Sequence, residues 1–513
     1  MSATALPLTQ SRYRWSLSIR SGNYRTSLAL LALTVVAFLV LGYHPFAEDA
    51  EIYLPGVEQI YHPRLFPNGQ EFFGAYARLT IFPNLVALSA RATHLPLTAV
   101  LFFWQVASVF LLLLACWESS SLLFPSAGAR WGGVCLIAAL LSIPVAGTAL
   151  YIMDQYLNPR NLAAFAGVFA IARTLETKYI RAGLWIIFAA AVHPLMAVFA
   201  LSFCLLTVGI DCLEQRQASP LPALGMATGA LCLLPFGIRL DAPSSPAYHA
   251  AAMLHGFHYI QLWHWYEQVG IVAPLALFWW FGRIARARQW RELHLACRTL
   301  FFYDLGYLLA ALLVDLPPRF ESLARLQPLR SLHLLYIVMF LIMGGFAGEY
   351  LLKKQAWRWI VFFVPLALGM FVAQRSLFPA SAHIEWPGST PRNQWAQAFD
   401  WIRQNTPTEA VFALDPEYMH IAGEDETGFR CRSQRSRLAD IGKDSGAVSM
   451  FPPLAEEWWT QVQALTPWKS FGLADFSRLK EKYGVSWVVV QQPGAAGLRC
   501  AYQNNTVRVC KLP

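Results

Sequence analysis

Three carboxylates stand within four positions just after the first long apolar run of this chain: Glu48, Asp49 and Glu51. Charged side chains are costly in lipid, so an acidic cluster at a membrane face is a candidate for a catalytic base or a metal ligand. On a helix Glu48 and Glu51 would share a face, so one of them could bind a metal while Asp49 points elsewhere. The alternative is a solvated helix end without a chemical role.

Five further polar residues lie at the ends or breaks of apolar runs and could complete a site: Asp154, Arg160, His193, Arg325 and Arg330. Guanidinium groups bind phosphate in a bidentate manner, so arginines in this setting indicate an anionic substrate. Each residue also has a simpler interpretation. Asp154 could pair with Arg160, and His193 could satisfy neighbouring carbonyl groups. The remaining two arginines could anchor the chain at an interface.

Histidines recur at 249, 255, 258 and 264, beside Trp263 and Trp265. A metal site is one interpretation of this stretch. An aromatic belt at a membrane interface is the other, and it fits the tryptophans better.

The composition identifies the medium in which these residues act. Of 513 residues, 56% are hydrophobic and 14% are charged, whereas soluble domains carry roughly 25% charged residues. Together with a mean hydropathy of +0.39, this predicts an integral membrane protein. The net charge of +9 is concentrated in short stretches, which fits the positive-inside rule better than a nucleic-acid surface. These stretches are the tail with Arg12, Arg14, Arg20 and Arg25, and the loops 173–181, 283–298 and 353–358.

About eleven apolar segments are predicted to cross the membrane. Their approximate bounds are 26–43, 97–115, 131–150, 161–174, 183–193, 195–210, 219–237, 268–282, 299–314, 332–350 and 357–373. The first is expected to be a retained span and not a cleaved signal, because no small-residue cleavage site follows it.

The basic loops fall on one side of the membrane only under two conditions. Residues 75–92 must lie in the interface without crossing. Residues 183–210 must form two helices that turn at His193-Pro194, where proline disfavours a continuous helix. The first outer loop 44–96, the loop 154–160, the turn and the two later loops 238–266 and 315–330 then share the outer face.

After about residue 376 the sequence has the composition of a soluble domain. A helix at 395–404 and strands at 410–414 and 485–490 indicate a small α/β domain. The expected organisation is a transmembrane domain over 1–375 and an extracytoplasmic α/β domain over 376–513.

Two features of this second domain carry predictions of their own. Cys500 and Cys510 flank a predicted hairpin turn at Asn504-Asn505 and could form a disulfide in an oxidising compartment, with two free thiols as the alternative. Four arginines could hold an anionic glycan or lipid headgroup, or form a solvated basic strand. They are Arg430, Arg432, Arg435 and Arg437.

The order of these features resembles the GT-C superfamily of integral-membrane glycosyltransferases. Glu48-Asp49 open the first outer loop after a basic tail and one span, many short spans follow, and a soluble domain ends the chain. The segments Trp401–Pro407 and Ala410–Phe412 are similar to stretches that open the soluble domains of several such proteins. The stretches 428–444 and Leu326–Ser331 look like an uncharacterised bacterial branch. The Trp-Trp-Asp motif of oligosaccharyltransferases does not occur in the sequence, so that activity is not carried over.

The resemblance implies a polytopic α-helical membrane fold with a C-terminal α/β domain. It also implies an enzyme of the bacterial cytoplasmic membrane, which would move a sugar from a polyprenyl-phosphate-linked donor to a glycan, lipid or protein acceptor at the outer face. Its partners would include membrane lipids but no nucleic acid.

The resemblance also suggests roles for the polar residues. Asp49 matches the family's acidic residue and is the first choice for the catalytic base, with Glu48 and Glu51 as alternates. Arg325 or Arg330 would hold the donor phosphate, with Arg160 beside them. The cofactor stays open, with a divalent metal ion as one option. Asp154 would position the acceptor or that metal, and His193 would bind the phosphate or relay a proton.

Two other functions compete with this one. Broken helices with polar residues also mark transporters, so a transporter or flippase for a lipid-linked or anionic solute is an alternative. A non-catalytic scaffold of the same fold is another.

Overall fold

A computed structural model describes residues 24–215, 245–314 and 318–513 of the chain. The basic residues Arg12, Arg14 and Arg20 and the predicted apolar segment 219–237 lie outside these residues.

The described residues up to Leu377 are mostly helical. Their α-helices are α1 Tyr24–Leu41, α2 Ala50–Tyr61, α3 Glu71–Leu79, α4 Phe82–Thr93, α5 Leu97–Leu123, α6 Ala127–Ala139, α7 Pro159–Leu175, α8 Tyr179–Val192, α9 Pro194–Gln215, α10 Pro246–Met253, α11 Trp265–Ala287, α12 Arg291–Val314, α13 Leu332–Phe346 and α14 Ala356–Leu377. Short 3₁₀ helices span Gly256–His258, Ile260–Leu262, Pro318–Leu326 and Pro328–Ser331, and a π-helical turn spans Ala347–Leu352.

Within the described residues, seven helices are long and apolar enough to cross a membrane, and α6 and α8 are shorter apolar helices. The chain is therefore a multi-pass membrane protein of mostly helical fold, and the predicted number of eleven spans is not confirmed. α13 is buried on nearly all sides, as expected for a helix at the centre of a bundle. It packs closely against α6, where Gly344 faces Gly132, because small residues allow two helix backbones to approach each other.

Two of the predicted segments differ from the structure. The span predicted over 131–150 ends as a helix at Ala139, and the chain up to Asn158 is irregular because Pro144 and Gly147 interrupt it. Residues 75–92 form parts of two helices, α3 and α4, separated at Thr80-Ile81. The break at His193-Pro194 is confirmed, since α8 ends at Val192 and α9 begins at Pro194.

The basic loops gather at one end of the helices. At that end charged residues of neighbouring helix ends form ion pairs: Arg173 with Glu118 and Glu176, Arg291 with Asp211, and Arg298 with Glu214. The opposite end of the helices contains the first loop, the irregular segment 140–158 and the His193-Pro194 turn. Residues 378–513 pack against this end.

Residues 378–513, called the C-terminal region below, contain a mixed five-stranded sheet with the order β2-β1-β3-β5-β4. The strands are β1 Val411–Ala413, β2 Ser436–Arg437, β3 Trp487–Gln491, β4 Arg499–Gln503 and β5 Val507–Lys511. The helices are α15 Gln394–Asn405, α16 Arg430–Ser433, α17 Asp444–Met450, α18 Ala455–Leu465 and α19 Leu473–Tyr483, with 3₁₀ turns at Tyr418–His420, Pro452–Leu454 and Trp468–Ser470.

The sheet of the C-terminal region has apolar clusters on both faces, as expected for an α/β layer. β1 pairs in parallel with β2 and β3, whereas β5 pairs antiparallel with β3 and β4. Cys500 lies opposite Cys510 in the β4–β5 hairpin and is bonded to it. The predicted disulfide is thus confirmed.

The C-terminal region docks onto the first loop through backbone and side-chain contacts. Ala47 forms a bridge with Thr427, and the N–H of Gly428 donates to the carbonyl of Phe46 over 2.8 Å. The N–H of Tyr43 donates to the carbonyl of His383 over 3.0 Å. These contacts fix the polypeptide that leads into Glu48 and Asp49.

Candidate functional site

Asp49 is the last residue before α2, and other parts of the chain fix its backbone. Its N–H donates to the hydroxyl of Tyr156 over 3.3 Å. The preceding Glu48 has a left-handed φ of +50°, and its N–H donates to the carbonyl of Glu426 over 2.8 Å. The Asp49 side chain is 28% exposed, so a substrate can reach its carboxylate.

The surroundings shift the pKa values of Glu48 and Asp49 in opposite directions. Burial alone would raise the pKa of Asp49, but the cations Lys443, Arg160 and Arg330 together lower it below its usual value. Burial raises the pKa of Glu48 to about 8; Lys443 opposes this shift and neighbouring carboxylates add to it. At neutral pH Asp49 is ionised and Glu48 holds a proton. Of these two carboxyl groups, Asp49 is therefore the one that can accept a proton at neutral pH.

Glu51 faces away from this exposed carboxylate and joins α2 to the C-terminal region. Its side chain is fully buried. Oε1 lies 3.0 Å from Nε of Arg437, and Oε2 accepts the N–H of Cys431 over 3.2 Å. Because Glu48 precedes the helix, the helical face that Glu48 and Glu51 were expected to share does not exist. Both carboxylate oxygens of Glu51 are engaged in these contacts, so its role is structural.

Asp154 and Arg160 form a buried ion pair. Nη2 of Arg160 is 2.7 Å and Nε is 3.2 Å from the same oxygen, Oδ2 of Asp154. The amide nitrogen of Asn158 donates to that oxygen as well. The pair arises locally, since α7 begins at Pro159 with Asn158 as its N-cap, which brings Arg160 back over Asp154. Asp154 thus holds Arg160 in place.

Arg330 lies within electrostatic reach of Asp49, whereas Arg325 contacts Tyr248. The charge of Arg330 acts on Asp49 and on Tyr53, one turn further along α2. Its guanidinium carbon lies 5.1 Å from the centre of the Phe257 ring, in a cation–π contact. Arg325 instead lies 5.6 Å from the ring centre of Tyr248 in α10.

His193 stands at the junction of α8 and α9. Its Nδ1 accepts the N–H of Met196 over 3.4 Å, so it helps to begin α9. It lies close enough to Arg160 and Arg330 for their charges to act on it. Of the predicted residues, the structure therefore brings together Asp49, Arg160, His193 and Arg330, with Asp154 behind Arg160.

The four arginines of the C-terminal region neither bind a ligand at the surface nor form a solvated strand, so both expectations for them are wrong. Each is at most 6% exposed. Arg430 pairs with Asp444, Arg432 with Asp400, and Arg437 with Glu51, Asp440 and Asp444. The guanidinium of Arg435 donates to the carbonyls of Arg403 and Thr406. Buried guanidinium groups need such partners.

Lys443 belongs to the site although no sequence pattern assigned it a role. Its Nζ lies 3.3 Å from Oδ1 of Asp49 and 3.3 Å from Oε2 of Glu426. The charge-rich stretch 440–444 was visible in the sequence, but its contact with a residue almost 400 positions earlier was not. The first loop and the C-terminal region therefore build the site together.

The residues present do not fit a divalent metal ion. In the described parts of the chain, no three His, Cys, Asp or Glu side chains converge in a way that could hold one. The two carboxylates that could start such a site, Asp49 and Glu426, contact the same ammonium. Among the histidines at 249–264, His249 pairs with Glu321 and His255 with Ser445.

Comparisons with known proteins add a likeness in fold. The chain is similar to the oligosaccharyltransferase of the archaeon Archaeoglobus fulgidus in its apo form, with a TM-score of 0.48, 13% identity, and coverage of 91% of this chain and 70% of that chain. It is similar to the archaeal oligosaccharyltransferase AglB from Archaeoglobus fulgidus in complex with an inhibitory peptide and a dolichol-phosphate, with a TM-score of 0.46, 13% identity, and coverage of 91% and 69%. No protein-family model matches the chain, and no curated protein sequence matches it. With TM-scores below 0.5, the likeness assigns no role to any residue of this chain.

Proposed function

We propose that this chain is a GT-C-type glycosyltransferase, which moves a sugar from a polyprenyl-phosphate-linked donor to an acceptor at the outer face of a bacterial cytoplasmic membrane. One observation carries the proposal: Asp49, a partly exposed and ionised carboxylate, lies within electrostatic reach of two guanidinium groups, those of Arg160 and Arg330. Glycosyl transfer from a phosphate needs both parts, a base for the acceptor and cations for the leaving group.

The proposed reaction assigns a task to each of these residues. The acceptor hydroxyl oxygen attacks the anomeric carbon of the donor, and its proton passes to Asp49. The bond between the anomeric carbon and the phosphate oxygen breaks, and the electron pair leaves with the lipid phosphate. Arg330 and Arg160 bind the phosphate oxygens, on which negative charge grows as the bond breaks. The carboxyl of Glu48, protonated at neutral pH, adds no repelling charge.

The positions of the basic loops support the proposed orientation. They lie at the end of the helices opposite the site and include Arg173, Arg291 and Arg298. Lysine and arginine loops remain preferentially in the cytoplasm. The division that we propose is therefore a transmembrane part over 1–375 and an extracytoplasmic α/β domain over 376–513.

The test uses the full-length chain in proteoliposomes with a panel of radiolabelled polyprenyl-phosphate sugars. We expect label to move to a lipid or glycan acceptor for at least one donor, and native mass spectrometry to detect bound polyprenyl phosphate. Movement of the intact donor across the bilayer without transfer of the sugar would refute the proposal in favour of a flippase. If the chain neither binds nor moves the donor, the non-catalytic scaffold is the function that fits.

A pair of variants tests the phosphate site specifically. Arg330→Ala removes a charge-assisted contact worth about 1.5–3 kcal/mol, so KM for the donor should rise about 10- to 100-fold. Arg325→Ala is the matched control, since Arg325 packs on Tyr248, and its KM should stay within about threefold of the wild type. Equal effects of the two substitutions would contradict the assignment of Arg330.

A further inference from the structure

Lys443 lies between two carboxylates from different parts of the chain. Its Nζ is 3.3 Å from Asp49 of the first loop and 3.3 Å from Glu426 of the C-terminal region. The carboxyl group of Glu48 lies within electrostatic reach of the same ammonium. The lysine side chain is only 15% exposed, so it is enclosed, whereas long surface lysines are normally solvated.

The backbone of Lys443 is tied to the beginning of α2 through buried ion pairs. The N–H of Lys443 donates to Oδ1 of Asp440 over 2.9 Å. Asp440 contacts Arg437 over 2.6 Å, and Arg437 contacts Glu51 over 2.9 Å. Glu51 is two residues from Asp49. This chain of contacts fixes the lysine relative to the carboxylate it faces.

A divalent ion would compete with this ammonium for the same oxygens. It would need several oxygen ligands at about 2.0–2.6 Å. Asp154 is engaged with Arg160, and Glu51 with Arg437. Apart from Glu48, the carboxylates left beside the ammonium to provide these ligands are Asp49 and Glu426. An ion between these two would lie within a few ångströms of Nζ, where two positive charges repel strongly in partly buried surroundings.

We propose that Lys443 is the resident cation of this site, occupying the position between Asp49 and Glu426 that a divalent ion would otherwise take, so that sugar transfer proceeds without a divalent metal. Lys443 acts through Asp49 and is therefore a positioning residue: it orients the carboxylate and keeps it ionised. The C-terminal region thereby completes the site of the first loop. The part of this inference that concerns transfer rests on the proposed function, whereas the part that concerns metal exclusion does not.

The metal-exclusion part is tested by Mn²⁺ binding to the full-length chain in lipid nanodiscs, followed by electron paramagnetic resonance. At 100 μM total Mn²⁺, the wild type and Asp49→Asn should bind the same amount of the ion, which means that no bound Mn²⁺ depends on Asp49. Lys443→Met keeps an unbranched, slightly shorter side chain and removes the ammonium, which frees the two carboxylates. This variant should gain one Mn²⁺ that the added substitution Asp49→Asn removes. Wild-type binding of one Mn²⁺ that is lost in Asp49→Asn would overturn the proposal.

The transfer part is tested with EDTA and two substitutions. Wild-type transfer should be unchanged in 5 mM EDTA, Lys443→Met should lose at least tenfold in rate, and Lys443→Arg should restore most of it. Loss of wild-type transfer in EDTA that Mn²⁺ restores would overturn the proposal. If no condition gives transfer, the proposed function fails, and the Mn²⁺ experiment still decides the identity of the cation.

Discussion

Arg437 connects the C-terminal region to α2, and its removal should weaken the protein far more than removal of an ordinary arginine. The side chain is 1% exposed. It donates to Glu51 over 3.0 Å, to Asp440 over 2.6 Å, to Asp444 over 3.0 Å and to the carbonyl of Leu438 over 2.8 Å. In Arg437→Ala, Glu51 and Asp444 would keep Arg430 as a partner, and Asp440 would lose its guanidinium partner.

The magnitude follows from the cost of uncompensated buried charge. Removing one partner of a buried ion pair costs about 3–5 kcal/mol. A folding unit of roughly 140 residues loses about 3 °C in Tm for each kcal/mol. We therefore expect Arg437→Ala to lower the unfolding temperature of the C-terminal region by about 10–15 °C.

The assay is thermal unfolding of the full-length chain in detergent micelles, followed by tryptophan fluorescence. Arg478→Ala is the matched control in the same region: its side chain is 75% exposed and pairs with Asp475. Exposed pairs contribute about 0–1 kcal/mol, so this control should shift Tm by less than about 3 °C. Equal shifts for the two variants would refute the role given to the buried network.

Three further predictions concern pH, helix packing and the disulfide. Ionisation of Glu48, whose pKa is raised to about 8, adds negative charge beside the donor phosphate, so kcat/KM should fall as pH rises through about 8. Glu48→Gln should remove this fall. A pH profile of the variant that equals the wild-type profile would contradict this role of Glu48. Gly344→Val would place a Cβ 2.4 Å from the carbonyl oxygen of Gly132, whereas a Cβ at Gly369 would meet open space. Gly344→Val should therefore lower the free energy of unfolding by about 1–3 kcal/mol, and Gly369→Val should not. Thermal unfolding of the two variants compares these effects. Non-reducing peptide mapping should recover Cys500 linked to Cys510, and maleimide labelling of both thiols would contradict the bond.

Local patterns were sufficient for features that depend on neighbours in sequence. The proline after His193 predicts the break between α8 and α9, and two cysteines flanking an Asn-Asn turn predict the linked hairpin. These features depend on backbone preferences within a few residues. They needed no information about distant parts of the chain.

Features that depend on distant contacts could not be predicted in this way. Arg437 meets Glu51 across 386 positions, so the sequence alone gave no indication that the arginine is buried. Glu48 stands outside α2 because its backbone is left-handed, with a φ of +50°, whereas a helical pattern would include it. The placement of Lys443 against Asp49 likewise depends on a distant contact. The candidate residues of the first loop were thus identified from sequence, but their partners were not.

The most direct test of the central claim is the transfer rate of Asp49→Asn in proteoliposomes, measured in single-turnover experiments with saturating donor. Asparagine keeps the shape of the side chain but cannot accept the proton, and loss of a general base costs about 10²- to 10⁴-fold in rate. The variant should retain the Tm of the wild type within a few degrees, because Asp49 is partly exposed. A folded variant whose transfer rate falls about 10²- to 10⁴-fold is the predicted result. A rate within about threefold of the wild type would contradict the claim that Asp49 is the base.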